Sequence, residues 1–405
     1  MRIAMVSEHA SPLAALGGVD AGGQNVYVAR LSEELARRGH HVTVYTRRDS
    51  TELPDRVTLP GGAVVEHVPA GPPEPIPKDE LYDYMPSFGA YLARVWGHRR
   101  PDMVHAHFWM SGVAAQLGAY PHGIPLVQTF HALGTVKRRH QGDADTSPPR
   151  RIALERQIGG ICDRVLATCT DEVLELADMG IPTGQVSVVP CGVDAEHFRP
   201  GARRSGAPSR EWPHRLLSCG RLVPRKGYDH AIRALAEVPE TELLIAGGPS
   251  AGDVMSEPEA QRLLWLADQQ GVADRVRLLG AVEPARMPAL IGSADAVLCT
   301  PTYEPFGIVP LEAMACGVPV VATDVGGHRD SVADGVTGRL VPAGDPGATA
   351  EAVRELLADE RLRRTLGAVG RERVLARYTW QRVADGVEEV YQRVTARDEI
   401  PSEVA

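Results

Sequence analysis

At 405 residues, 43 % of them hydrophobic and 23 % charged, the chain is too long for one hydrophobic core and ordinary in composition for a soluble protein, so two domains are expected. Its formal net charge of −9, with no basic tail, argues against non-specific nucleic-acid binding, which depends on clustered Lys and Arg releasing counterions. No stretch approaches the ~20 apolar residues of a membrane span. The N-terminal MRIAMVSEHASPL has too short an apolar run for a signal peptide, and the six scattered cysteines form no CxxC pair. That is the pattern of a cytoplasmic protein with buried, reduced thiols, peripheral membrane contact staying open.

From the N-terminus, strand-like and helix-like segments alternate. Strands are expected at 2–8, 41–46, 63–68, 103–107, 125–130, 164–169 and 186–190, with helical patterns between them. The clearest helix is 24–38, where Val28, Leu31 and Leu35 share one face and Gly39 follows the end. Residues 194–213 break the pattern with a polar stretch rich in Pro, Gly and Arg. The alternation restarts with strands at 215–220, 241–248, 275–282, 295–301 and 319–323 and helices near 228–237, 258–270, 308–316, 346–358 and 380–394. Such alternation implies right-handed βαβ units and parallel sheets covered on both faces. The expected organisation is an α/β protein of two Rossmann-like doubly wound domains, 1–196 and 214–379, joined by a linker at 197–213. Ligands of such sheets bind beyond the carboxyl ends of the strands, so two of them facing each other would form a cleft lined by the loops that follow strands.

Four stretches carry chemistry at such positions. DAGGQN, residues 20–25, precedes the first long helix; Gly22 and Gly23 would let a phosphate approach a helix N-terminus, or serve only as a folding turn. In TFHALGTVKRRH, residues 129–140, His131 lies just past a strand and suits hydrogen bonding to a sugar hydroxyl or developing charge, or is a satisfied loop histidine. The cations Lys137–Arg139 and Arg150–Arg151 fit an anionic acceptor or a solvated face, and His105 and His107 fit packing at a strand end. SCGRLVPRKGYDH, residues 218–230, sets Arg221 and Lys226 in one loop ahead of a helix, which suits a diphosphate or is a pair of surface cations. Finally, PTYEPFGIVPLEAMACGVPVVATDVGG, residues 301–327, places Glu304 in a loop and Glu312 eight residues on, along a helix that starts near Gly307. The N–H groups of Phe306, Gly307 and Ile308 can meet an anion there, and the two acids can accept from polyhydroxyl groups. The blander alternative is a helix N-terminal charge and a surface glutamate.

The ordered set resembles the retaining glycosyltransferases of family 4, with two Rossmann-like domains in the GT-B arrangement. The likeness covers nearly the whole chain and is carried by E-x7-E, read here as EPFGIVPLE, by GRLVPRKG and by DAGGQN. VHAHFWMSG and TFHALGTVK are similar to the branch holding sucrose synthases, sucrose-phosphate synthases and the mycothiol-pathway inositol-phosphate glycosyltransferases. The resemblance implies that Arg221 and Lys226 neutralise the donor diphosphate, that Phe306, Gly307 and Ile308 add main-chain contacts, and that Gly22 and Gly23 sit against the phosphates. It implies Glu304 on the transferred sugar, Glu312 on the ribose, and His131 on the donor sugar. It implies no cofactor or metal, a nucleotide diphosphate sugar as co-substrate, and a final helix, about 380–397, that crosses back to the first domain. UDP-sugar is the favoured donor, with GDP- and ADP-sugars open.

Acceptor candidates are Asn25, Lys78, Lys137 and Arg150. In the inositol-phosphate branch the anion pocket resembles Lys78 of PKDEL and an Arg at 150–151, together with hydroxyls at 108 and 132. This chain has Phe108 and Ala132, which argues against inositol phosphate as acceptor. The expectation is an enzyme, a hexosyltransferase acting on a small-molecule or saccharide hydroxyl. The alternatives are a non-catalytic nucleotide-sugar-binding protein of the same fold and, against the missing GxGxxG, a nicotinamide-dependent oxidoreductase. Oligomeric state is not legible.

Overall fold

The structure, a computed structural model, describes residues 1–14, 22–201 and 207–397, so Asp20 and Ala21 of DAGGQN lie outside the described residues. The chain divides into two units: Met1–Pro190 together with the chain from Trp380 onward, and Cys191–Thr379. The polar stretch 194–213 thus groups with the second unit.

Unit 1 runs β1 (Arg2–Val6), α1 (Gly23–Arg37), β2 (His41–Arg47), β3 (Arg56–Thr58), β4 (Val64–Val68), α2 (Met85–His98), β5 (Met103–His107), α3 (Trp109–Ala119), β6 (Leu126–Thr129), α4 (Gly134–Gln141), α5 (Arg151–Ile161), β7 (Arg164–Ala167), α6 (Thr170–Asp178) and β8 (Val186–Val188). Its sheet order is β3-β4-β2-β1-β5-β6-β7-β8. Every pairing is parallel except β3 with β4, where Arg56 faces Glu66 and pairs with it at 2.5 Å. β5, β6 and β7 are buried at every position, as strands covered on both faces must be. α1 buries the Val28, Leu31 and Leu35 stripe against the sheet and stops two residues before Gly39.

Unit 2 runs β9 (His214–Cys219), α7 (Tyr228–Ala236), β10 (Thr241–Ala246), α8 (Pro258–Gln269), β11 (Val276–Gly280), α9 (Met287–Ile291), β12 (Ala296–Cys299), α10 (Ile308–Ala315), β13 (Val320–Thr323), α11 (His328–Ser331), β14 (Gly338–Val341), α12 (Pro346–Ala358) and α13 (Glu360–Arg377). The sheet order is β11-β10-β9-β12-β13-β14, all parallel. The chain winds outward through β10 and β11, then returns beside β9 with β12. The order therefore reverses between β9 and β12, and the same reversal occurs in unit 1 between β1 and β5. These are the switch points at which loops from neighbouring strands diverge and leave room for a ligand.

The last helix, α14 (Trp380–Arg397), belongs to unit 1. It lies along α1, with Arg38 bonded to Asp385 at 2.8 Å and to Glu388 at 2.6 Å, and His40 to Glu388 at 2.8 Å. Its Trp380 ring meets Tyr27 at 5.7 Å between centroids, and its buried Tyr391 hydroxyl shares a 2.8 Å hydrogen bond with Nδ1 of His105 in β5. Among the described residues no helix is long and apolar enough to cross a membrane, and no group of three or more His, Cys, Asp or Glu could hold a metal ion. All six cysteines are free thiols.

Candidate active site

At the switch point of unit 2 the loops after β9 and β12 are locked together. Gly227 adopts φ +67°, and a Cβ there would stand 1.9 Å from the Thr300 carbonyl oxygen, so only glycine fits. The Thr300 hydroxyl donates to the Gly227 carbonyl at 2.8 Å. This contact delivers Lys226 to Glu304: Nζ lies 2.5 Å from Oε2. Arg225, which the motif reading passed over, reaches the same oxygen at 3.5 Å while its guanidinium lies 5.3 Å over the Tyr303 ring. Burial alone would raise the Glu304 carboxyl, but the charges of Lys226 and Arg225 outweigh it and hold the group at about 2. Glu304 is therefore an anion at every working pH. Arg221 stands exposed in the same loop as Lys226.

Beyond Glu304 the chain turns into α10. Phe306 is buried; Gly307 is the N-cap at φ +83° and offers no side chain to the first-turn N–H groups, so the amides from Ile308 onward stay available to an anion. Glu312 follows on α10, where burial pushes its carboxyl up to about 7. Two acids eight residues apart thus hold opposite states: one is pinned as a carboxylate by cations, the other titrates near neutrality. Among the described residues the buried Tyr228 hydroxyl has no partner.

Unit 1 gathers a different set at its own switch point. His107 Nδ1 and His131 Nε2 share a 3.1 Å hydrogen bond, and the His105 and His107 rings lie 4.1 Å apart. His105 also bonds Thr129 Oγ1 at 2.8 Å. Burial drives His105 down to about 3 and His107 well below the ordinary range; His131 also falls to about 3, from burial first and nearby His9 second. All three are neutral imidazoles. His131 at φ +61° and Phe108 at φ +82° both hold the left-handed region, a strain that packed surroundings must maintain. His9 bonds Glu8 at 2.6 Å and sets its ring edge 4.9 Å from Phe108.

The remaining candidates separate into two kinds. Asn25 accepts from the Gly22 N–H at 3.0 Å and donates to the Ser11 carbonyl at 3.0 Å, so its amide closes the turn into α1. A Cβ at Gly22 meets nothing within 4 Å among the described residues, and Gly23 begins the helix. Lys137 pairs with Asp145 at 3.0 Å and donates to Ser147 at 2.9 Å, a local tie within its loop. Lys78, by contrast, lies 5.9 Å over the Phe108 ring, and Arg150 lies 5.3 Å over Tyr82, which stacks on Trp109 at 5.4 Å. Buried Arg151 lies 5.1 Å from Phe108 but spends its donors on Glu155 at 2.7 Å, Ser147 at 3.1 Å and the Ala132 carbonyl at 2.7 Å.

Residues 21–197 match the family described as Glycosyltransferase Family 4, and residues 204–373 the family described as Glycosyl transferases group 1. The chain is 39 % identical to the D-inositol 3-phosphate glycosyltransferase of Acidothermus cellulolyticus, the match covering 98 % of this chain and 91 % of that one. It is 36 % identical to the protein of the same name from Mycobacterium tuberculosis, over 97 % of this chain and 83 % of that one. Among solved structures, sucrose-phosphate synthase from Thermosynechococcus elongatus is similar at a TM-score of 0.89 and 31 % identity, over 98 % of this chain and 99 % of that one. Anabaena HepE, solved with UDP-glucose, shares the fold at a TM-score of 0.74 and 19 % identity, over 97 % and 100 % of the two chains.

Proposed function

Because this chain belongs to the family 4 glycosyltransferases, hexosyltransferases of the GT-B fold, we propose that it moves a hexosyl unit, with retention, from a nucleotide diphosphate sugar to a hydroxyl of a small molecule or saccharide. UDP-sugar is the favoured donor, with GDP- and ADP-sugars as alternatives. One observation carries the donor reading: Lys226 and Glu304, 2.5 Å apart at the unit 2 switch point beside the uncapped start of α10. A cation and free amides suit a diphosphate, and a permanently ionised carboxylate suits sugar hydroxyls. A nucleotide diphosphate sugar has both groups on neighbouring atoms.

On this reading the diphosphate draws Lys226 away from Glu304, and Glu304 turns its freed oxygens to the sugar. The bond from the anomeric carbon to the diphosphate oxygen breaks with its electron pair going to that oxygen. Arg221, Lys226 and the amides of Phe306, Gly307 and Ile308 absorb the growing charge; one preorganised donor is worth roughly 2.7–4 kcal/mol. Gly22 and Gly23 lie against the phosphates. The acceptor oxygen attacks the oxocarbenium-like carbon on the face the leaving group departs from and passes its proton to the departing phosphate oxygen. His131, neutral and held by His107, hydrogen-bonds the donor sugar. Glu312 binds the ribose hydroxyls. No metal takes part.

The acceptor is read from Lys78 and Arg150 in unit 1. The relatives are named for inositol 3-phosphate, but Phe108 and Ala132 lack the hydroxyls such a phosphate would use, so a different acceptor is proposed. Purified protein is incubated with UDP-, GDP- and ADP-glucose and an acceptor panel that includes inositol 3-phosphate, with and without EDTA. Nucleoside diphosphate release with α-linked product, unaffected by EDTA, is expected. Absence of release with every donor and acceptor overturns the reading.

A further inference from the structure

The loop after β13 forms the back of the Glu304 site. The Gly327 N–H donates to the Glu304 carbonyl at 3.1 Å. A Cβ at Gly326 would stand 2.1 Å from that carbonyl oxygen, and one at Gly327 would stand 2.4 Å from the Phe306 Cα. The two backbones touch with no room for side chains. His328 comes next, at the start of α11, and is 1 % exposed. Its Nδ1 lies 3.0 Å from the Thr323 carbonyl oxygen. The opposite edge of the ring faces Gly307: Nε2 and Cδ2 are each 2.8 Å from where a Gly307 Cβ would be, and Glu304 Cγ is 3.1 Å from the same point. The ring edge, the Glu304 side chain and the N-cap of α10 thus meet at Gly307, packed too closely there to admit a Cβ.

The hydrogen bonding settles the tautomer. A carbonyl oxygen only accepts, so Nδ1 carries the hydrogen and a neutral ring presents a lone pair at Nε2. Among the described residues nothing bonds Nε2. Burial holds the ring below its ordinary range, with Glu304 pulling the other way. A lone pair cannot meet a phosphate oxygen, which is also an acceptor; it needs an O–H. We propose that His328 is a specificity-determining residue whose Nε2 accepts a hydrogen bond from one hydroxyl of the transferred sugar, beside the hydroxyls that Glu304 takes. The inference rests on the donor-site reading above and deepens it.

The test uses the full chain as wild type, His328→Asn, His328→Phe and His328→Gln, each checked for folding by circular dichroism. Asn keeps an N–H for the Thr323 carbonyl and lacks an atom at the Nε2 position; Phe keeps the ring shape alone; Gln brings an amide oxygen to the Nε2 position. Turnover is measured with whichever of UDP-, GDP- and ADP-glucose the wild type uses, and with its 2-, 3-, 4- and 6-deoxy forms. Affinity for the bare nucleoside diphosphate is measured by calorimetry. The expected result is a tenfold or greater loss of kcat/KM in whichever of Asn and Phe stays folded, nucleoside diphosphate affinity within twofold, and at least threefold recovery in Gln. One deoxy donor costs the wild type the same factor and costs the variant nothing further. Equal losses on the intact and all four deoxy donors, or a parallel loss of nucleoside diphosphate affinity, overturn the role of His328. A wild type that neither binds nor turns over any of the three nucleotides overturns instead the donor-site reading beneath it.

Discussion

Units 1 and 2 both reverse their strand order beside their own first strand, yet the loops at the two reversals carry opposite chemistry. In unit 2 two cations surround a carboxylate that they keep ionised down to about pH 2. In unit 1 three neighbouring histidines are held neutral by burial. The scaffold sets where a ligand can bind; the loop residues set whether that place handles charge or neutral hydroxyls.

The contrast breaks if charge removal in unit 2 is harmless. Replacing Arg221 and Lys226 together by alanine is expected to cut turnover by at least ~10³-fold, read by nucleoside diphosphate release from folded protein. Next in size is Gly227→Ala, which forces a side chain onto the Thr300 carbonyl at φ +67°; a loss of about 3 kcal/mol is expected in denaturant titration, with no comparable cost for Gly22→Ala, where no described residue stands in the way. Glu304→Gln is expected to lower kcat by ~10²-fold. It also carries a pH signature. The native carboxyl sits at about 2 against an ordinary 4.5, so the wild type's stability advantage over Gln is complete above pH 4.5 and disappears as pH falls toward 2, which melting curves would follow.

Glu312 has the reverse sign. Its carboxyl is raised from 4.5 to about 7, so its contribution is full below 4.5 and lost as pH rises through 7. Glu312→Gln should therefore melt ~2–4 °C above wild type at pH 8 and level with it at pH 4; on the ribose assignment it also binds the nucleotide ~10-fold more weakly. The smallest effect belongs to unit 1: Phe108→Tyr with Ala132→Thr is expected to raise kcat/KM for inositol 3-phosphate about fivefold, on the scale of one added hydrogen bond, and to leave nucleotide affinity within twofold.

The parallel strands were legible because each is a short apolar run between turn signals, but their ends were read long. Ser7 and Glu8 follow β1, and Gly247 and Gly248 follow β10 at φ +138° and +88°, so the residues that leave the sheet toward a ligand look like strand until the backbone is seen. β3 escaped notice because it is three residues of exposed edge. β14 escaped as a four-residue strand with only its ends buried. α13 escaped for another reason: between Leu366 and Val374 its buried face is Gly367 and Gly370, where a Cβ would lie 2.0 Å from the Gly317 carbonyl oxygen and 2.9 Å from Met314, so glycines interrupt its apolar stripe. At the site, the motif residues Lys226 and Glu304 prove to be bonded neighbours. Arg225 stood inside a quoted motif and was overlooked because spacing says nothing about which of two adjacent cations turns inward. His328 was invisible for a different reason, since its proposed role depends on a tautomer set by the Thr323 carbonyl at the end of β13.

Helix α14 has a consequence for how the protein is made. Unit 2 is one continuous stretch of chain, whereas unit 1 draws Trp380 and Tyr391 from the last helix to pack against Tyr27 and to bond His105. On the ribosome, the continuous unit can therefore finish folding first, and the discontinuous one must wait, with a face of its interior uncovered, until α14 has been made.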